Sequence, residues 1–478
     1  MASHSQVLVE EKASVRILTL NRPKQLNALS CNMISRLLQL FLAYEEDPSV
    51  KLVILNGQGR AFCAGGDVLP LVRDIVQGKW ILAADFIVYQ YTLNFVMATY
   101  SKAQVSILNG IVMGGGAGLS IHGRFLLQLR TRAGPGFSMS TKVLISLSLI
   151  VLVVLSSCLG EYVGLTGARL DGAEMFTCGL ATHFVPSMNC NHSYMVRFNT
   201  GTDHLLEQGQ CNSTFTLNSV SIYQGRVCNP STKRENASKC KPASQQALRT
   251  DKKVKASGLI PLLTILLLKA ESNQLWNQSR VVFNTRCNTR LSALEADLCK
   301  VGSSDPNVVS TIIDSYTQHP HLKQQSAYHM LDVINKCFPR RTVEEIISAL
   351  EREATHEPND WISTTIRALK EASPSSLKIS LRLIREGRLQ GVGQCLIREY
   401  RMACHVFKGE ISKDFLEGCR AILIDKDRKP KWEPRRLEDM KDSMVDQYFE
   451  RMGEEEEWKD LKFPPRNNLP ASAIAAKL

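Results

Sequence analysis

Apolar and polar positions alternate over Gln6–Glu10 and again over Val15–Leu20, which predicts two short strands split by a polar turn. Asn21–Leu29 then reads as a loop fixed at Pro23. Ser30 suits the N-cap of a helix with apolar positions at Met33, Ile34, Leu37, Leu38, Phe41 and Leu42, ended by Asp47-Pro48. Within Lys51–Asn56 the run Leu52-Val53-Ile54-Leu55 has no polar interruption, as expected of a strand buried on both faces, and a Gly57–Gly59 turn follows. Strand, loop and helix recur from there, with a second buried-type strand at Val105–Leu108 entering Asn109-Gly110. Strand–helix units repeated in this order predict an α/β core over residues 1–187.

Two stretches break the pattern. Residues 125–160 pass through Gly134-Pro135-Gly136 into Val143–Leu155, an uncharged run too long for an ordinary strand and shorter than the ~20 residues of a membrane-spanning helix. Residues 188–287 are rich in Asn, Ser and Lys, with little periodicity, and include the apolar run Leu259–Leu268, again too short to span a bilayer. Both are expected to be poorly ordered, the second as a disordered insertion. Residues 288–465 return to amphipathic helical patterns, for example Thr342–Leu350, Trp361–Ala372 and Leu377–Arg388, and 466–478 read as a flexible tail.

Charge changes the picture less than its total suggests. The chain carries 58 Lys and Arg against 46 Asp and Glu, net +12. Residues 188–287 hold 13 basic and 5 acidic side chains, and residues 125–160 hold three basic and none acidic, so these stretches supply +11 of the +12. The remainder is nearly balanced, which argues against nucleic acid as a partner. The N-terminus has no basic start followed by an apolar run, so no secretory leader is expected, and the 14 cysteines are expected as free thiols.

The chemistry sits in two glycine loops, each at the end of a strand: Ala61-Phe62-Cys63-Ala64-Gly65-Gly66-Asp67 and Asn109-Gly110-Ile111-Val112-Met113-Gly114-Gly115-Gly116-Ala117-Gly118. Consecutive glycines let main-chain N–H groups approach a ligand closely. Two such loops side by side can aim two amides at one oxygen, as an oxyanion requires. Neither loop carries a nucleotide-binding glycine fingerprint. No H-E-x-x-H, paired C-x-x-C or G-x-S-x-G occurs, so a metal site and a hydrolase elbow have no support.

These motifs, with Asn21-Arg22-Pro23 and Leu26-Asn27-Ala28-Leu29, resemble the enoyl-CoA hydratase/isomerase (crotonase) superfamily. Leu119–Phe125, Ser373–Lys378, Glu399–Met402, Asp414–Gly418 and Ala421–Asp427 narrow the resemblance to the 3-hydroxyisobutyryl-CoA hydrolases of plant type. It covers residues 6–124, 161–187 and 290–465. It implies a crotonase-like spiral of ββα units with a helical C-terminal region, and hydrolysis of the 3-hydroxyisobutyryl-CoA thioester in valine breakdown, a step of branched-chain amino acid degradation. CoA is then part of the substrate, and no separate cofactor is expected. Carried over, the oxyanion-hole amides are Gly66 and Gly115, and the substrate-binding positions are Gly65, Gly114, Asp67 and Gln90, the last where the family has an acid. The resemblance also admits a homo-oligomer.

One departure matters. The family's catalytic Glu and Asp fall near Ser138 and Ser146, yet residues 125–160 contain no acid, and the family pattern resumes at Glu161–Leu170 with almost unchanged spacing. Such a replacement is what a frame-shifted or mis-spliced reading produces. Thioester hydrolysis needs groups to activate water and to manage the thiol's proton, so activity is expected to be weak or lost. Asp67, Glu161 and His122 are the nearest ionisable groups, with Asp67 expected to order its own loop and His122 to be a packed helix residue. A non-catalytic acyl-CoA-binding pseudoenzyme is one alternative. A hydratase or isomerase is another, disfavoured by Gly118, where hydratases place an acid. The closing Ala476-Lys477-Leu478 resembles a peroxisomal import address, with the mitochondrion as the family's other compartment.

Overall fold

The computed structural model describes residues 5–122, 125–129, 137–138, 155, 158–185, 190–198, 220–224, 281–287, 289–453 and 458–466. The chain divides into two units, residues 1–187 with 289–478, and residues 188–288.

In the first unit, β1 (Val7–Lys12) and β2 (Val15–Leu20) form an antiparallel hairpin. Next come α1 (Cys31–Glu46), β3 (Leu52–Gly57), β4 (Ala61–Cys63), α2 (Val68–Val76), α3 (Trp80–Ala98), β5 (Ala103–Leu108), β6 (Ile111–Met113) and α4 (Gly115–Ile121). They are followed by β7 (Phe125–Leu129), β8 (Phe137–Ser138), α5 (Leu159–Thr166), β9 (Arg169–Leu170), α6 (Gly172–Thr177) and β10 (His183–Val185). Six strands make one sheet in the order β1-β2-β3-β5-β7-β10, parallel from β2 onward. The short strands β4-β6-β8-β9 make a second sheet. Each turn of the chain thus adds one strand to each sheet and one helix, the expected spiral of ββα units.

The uninterrupted apolar strands are explained by burial on both faces. Leu18, Leu20, Val53, Leu55 and Leu126 face a large core shared with α1, α3 and α4. Val15, Ile17, Leu52, Ile54, Val105 and Leu127 face a second cluster on the other side. That second face is covered from far along the chain, by Leu291, Leu294 and Leu298 of α7 (Thr289–Leu298) and Val309 and Ile313 of α8 (Pro306–Asp314).

Local signals agree with the sequence at several points. Ser30 caps α1 by accepting from the Met33 N–H. On that helix, however, Leu40 and Tyr44 are buried and Leu42 is exposed, because the buried stripe turns with the 3.6-residue period. The C-terminal helices follow as α9 (Leu331–Cys337), α10 (Val343–His356), α11 (Asp360–Glu371), α12 (Pro374–Gly387), α13 (Val392–Lys408), α14 (Asp414–Cys419) and α15 (Asp442–Gln447). The helical pattern read from Leu377 in fact starts at Pro374, with Ser373 as its N-cap accepting from the Ser376 N–H.

Parts of the two anomalous stretches are regular. Phe125–Leu129 pairs with β5 and β10, and Phe137–Ser138 pairs with β6 and β9. In the second unit, β11 (Cys190–Phe198) lies between β12 (Val220–Gln224) and β13 (Val281–Cys287) in an antiparallel sheet. The β-branched and aromatic residues of these strands suit pairing. Apart from Leu155 and Cys158–Gly160, the rest of both stretches, Ser146 included, and the tail beyond 466 lie outside the described residues. Arg466 itself is nearly buried, its guanidinium 2.7 Å from Glu45, so the chain is still tied down where the tail was expected to begin.

Candidate active site

The first glycine loop is held by the motif that precedes it. Asn27 is fully buried and takes φ +56°, a conformation Asn tolerates. Its carbonyl accepts from the Arg22 N–H at 2.8 Å, and its amide donates to the Ala61 and Gln58 carbonyls at 2.8 and 3.0 Å. The Arg22 guanidinium donates to the Asp67 carboxylate at 2.9 Å and to the Ala28 carbonyl at 2.6 Å. Asp67 therefore braces its own loop, as expected.

The loop's amides are then divided. The Leu29 N–H donates to the Gly65 carbonyl and the Asp67 N–H to the Leu29 carbonyl, each at 2.8 Å. This strand-like bridge leaves the Gly66 N–H between them with no acceptor among the described residues. Gly65 takes φ +102°, a region L side chains rarely enter. The second loop ends as α4 begins. The Gly115 N–H, in the first turn of the helix, likewise has no acceptor among the described residues.

The structure brings the two loops together. A Cβ built on Gly65 would lie 3.7 Å from the Gly115 nitrogen, and one on Gly116 would lie 2.4 Å from the Cys63 carbonyl oxygen, so only glycine permits this approach. Gln90 closes the arrangement from α3. Its Nε2 lies 2.6 Å from where a Gly115 Cβ would be, and its Oε1 lies 3.9 Å from the same position on Gly66. Gln90 is fully buried, and neither of its amide atoms has a hydrogen-bond partner among the described residues. Gly65, Gly66, Gly114, Gly115 and Gln90 thus share one place, with Asp67 set behind as a brace.

Helix α3 is fixed by contacts that the sequence reading did not single out. The Tyr91 hydroxyl donates to Glu399 of α13 at 3.0 Å inside the core, and Phe95 stacks on Phe463 at 4.2 Å. The helix is long and apolar enough to cross a membrane by length and composition, yet most of it is buried in this core. The signal that could have flagged its role is compositional: Gln90 and Asn94 interrupt the otherwise apolar buried face of the helix.

The other ionisable groups are committed elsewhere. Glu161 is buried and held by both Arg388 nitrogens at 2.7 and 2.6 Å. Burial pushes the Cys63 thiol up to about 12, which keeps it protonated, and lowers His122 to about 4, which keeps it neutral. Ser138 lies on β8. Among the described residues no three His, Cys, Asp or Glu side chains gather to hold a metal ion. What the site offers is two undonated amides beside a neutral buried amide, suited to holding a carbonyl oxygen as it gains negative charge.

Comparison with known proteins identifies the family and the fold. Residues 15–197 and 284–449 match the family described as enoyl-CoA hydratase/isomerase. The chain is 59% identical over 480 residues to "Probable 3-hydroxyisobutyryl-CoA hydrolase 3" of Arabidopsis thaliana, covering 100% of both chains. To "3-hydroxyisobutyryl-CoA hydrolase 1" of the same organism it is 58% identical, covering 99% of this chain and 98% of the other. A crystal structure of a carnitinyl-CoA dehydratase from Mycobacterium thermoresistibile shares the fold, with a TM-score of 0.66 at 23% identity over 97% of this chain and 100% of that one.

Proposed function

Because the chain belongs to the enoyl-CoA hydratase/isomerase family, within it to the 3-hydroxyisobutyryl-CoA hydrolases, we propose that its substrate is the thioester of 3-hydroxyisobutyryl-CoA. Water adds to the acyl carbon, the C–S bond breaks, and 3-hydroxyisobutyrate and CoA leave, a step of valine breakdown. The observation that supports this reading is that Gly66 and Gly115 both border Gln90, each with an N–H that has no acceptor among the described residues. They polarise the thioester carbonyl and stabilise the tetrahedral oxyanion, with Gly65 and Gly114 shaping the approach. Removing one such donor typically costs on the order of 10²–10³ in rate.

Turnover by this chain is impaired. Residues 125–160 hold no acid, and the neighbouring carboxylates Asp67 and Glu161 are tied to arginines. The same observation favours a second reading, a non-catalytic acyl-CoA binder. Calorimetry with the CoA thioester, together with a thiol-reagent assay of CoA release, tests both. Binding with little release is expected. Release as fast as from the intact Arabidopsis relatives overturns the impairment, and absence of binding overturns the thioester reading. Conversion of crotonyl-CoA would favour a hydratase instead. The closing Ala476-Lys477-Leu478 supports a peroxisomal address read by the import receptor, and a fluorescent fusion that stays outside peroxisomes would reject it.

A further inference from the structure

Two amides on α3, Gln90 and Asn94, are fully buried, and none of their four polar atoms has a hydrogen-bond partner among the described residues. Burying an amide without a partner is costly, so such groups mark places where something else binds. The two residues are four apart and therefore lie one above the other on a single face of the helix. Gln90 faces Gly115. Since β3, β5 and β7 are parallel, the helices α3 and α4 that connect them both run against the strands, and hence in the same direction. Asn94 accordingly sits one turn further along α3 than Gln90, on the same face. Ser106 of β5, also buried with an unpartnered hydroxyl, neighbours Leu55 and Leu126, which face the core covered by α3 and α4.

We propose that Asn94 is a specificity-determining residue that, with Gln90, seats a hydroxyl group on the acyl chain of a CoA thioester. The inference rests on the thioester reading above. An amide both donates and accepts, as a hydroxyl does, and a neutral pair offers no counter-charge for a carboxylate. An acyl chain whose carbonyl rests on Gly66 and Gly115 extends past Gln90 toward Asn94.

The test is the affinity of the full chain for 3-hydroxyisobutyryl-CoA and for isobutyryl-CoA, which lacks only the hydroxyl, measured by calorimetry. The native chain is expected to prefer the hydroxy ester by roughly tenfold or more, because an unfilled polar seat penalises the analogue. In Asn94→Leu the preference is expected to fall toward one while isobutyryl-CoA binding stays within about twofold, a split that a merely structural role would not produce. If the leucine variant does not fold, Asn94→Ala is read in the same way. An unchanged preference in the variant, or equal binding of both esters by the native chain, overturns the proposal. Failure of the native chain to bind either ester overturns the thioester reading itself, and is distinguishable on that ground.

Discussion

The glycine loops and the stretch 125–160 lie next to each other in the chain and have opposite character. The loops are over-determined. Arg22, Asn27 and Asp67 bind them to neighbouring carbonyls, and close backbone approaches exclude any side chain. The stretch that follows has no acid at all, although two short pieces of it still pair as β7 and β8. Holding a carbonyl and moving a proton are separable tasks, carried by main chain in one region and by side chains in the other. A chain can keep the first and lose the second, because the sheets accept any apolar residues with strand propensity whereas acid–base chemistry accepts only a few side chains.

Restoring side-chain chemistry is the strongest way to break this contrast. Ser138→Glu with Ser146→Asp is expected to raise CoA release by roughly 10²-fold or more, the usual worth of general acid–base groups. No rise, at unchanged ester affinity, would place the defect elsewhere. Next in size is Arg388→Leu, which leaves the buried Glu161 carboxylate at the end of the acid-free stretch with only the Arg385 guanidinium 3.8 Å away. It should lower stability by about 3 kcal/mol in urea unfolding, and a neutral result would mean that Glu161 is free for chemistry. Asn27→Ala removes three hydrogen bonds from the loop brace, one of them fully buried, and should cost about 2 kcal/mol by the same measurement, with weaker ester binding as well.

The smallest effect concerns pH. The half-buried His122 ring, its Nε2 shut away from solvent and its proton affinity lowered by desolvation to about 4 from an ordinary 6.5, stays neutral in the folded chain. As pH falls the unfolded chain takes up this proton first. The contribution is therefore full above pH 6.5 and drains away between 6.5 and about 4. In His122→Asn the gap between urea midpoints at pH 7 and pH 4.5 should narrow, and an equal gap would assign acid sensitivity to other groups.

Much of this was legible from local pattern. Leu52–Leu55 announced a strand covered on both sides, Ser30 a cap, and the paired glycine runs two amides in need of a partner. What escaped the sequence depends on distant residues meeting. Tyr91 and Glu399 are 308 positions apart, and Arg388 and Glu161 are 227 apart. The role of Gln90 could be suspected from an apolar helix, but its place between the loops follows from how α3 and α4 run together. Asn94 carried no motif at all. Its isolation becomes visible only when every neighbouring polar atom is accounted for.

The cover on the second face of the six-stranded sheet has a consequence for how the molecule is made. The strands from β2 to β7 leave the ribosome roughly 180 residues before Ile313 of α8, and synthesis at about 5–20 residues per second leaves that apolar surface open for some ten seconds or more. Until α7 and α8 arrive, the nascent chain offers a broad sticky wall to its surroundings, so a chaperone or a pause in translation is most useful before the C-terminal helices have been built.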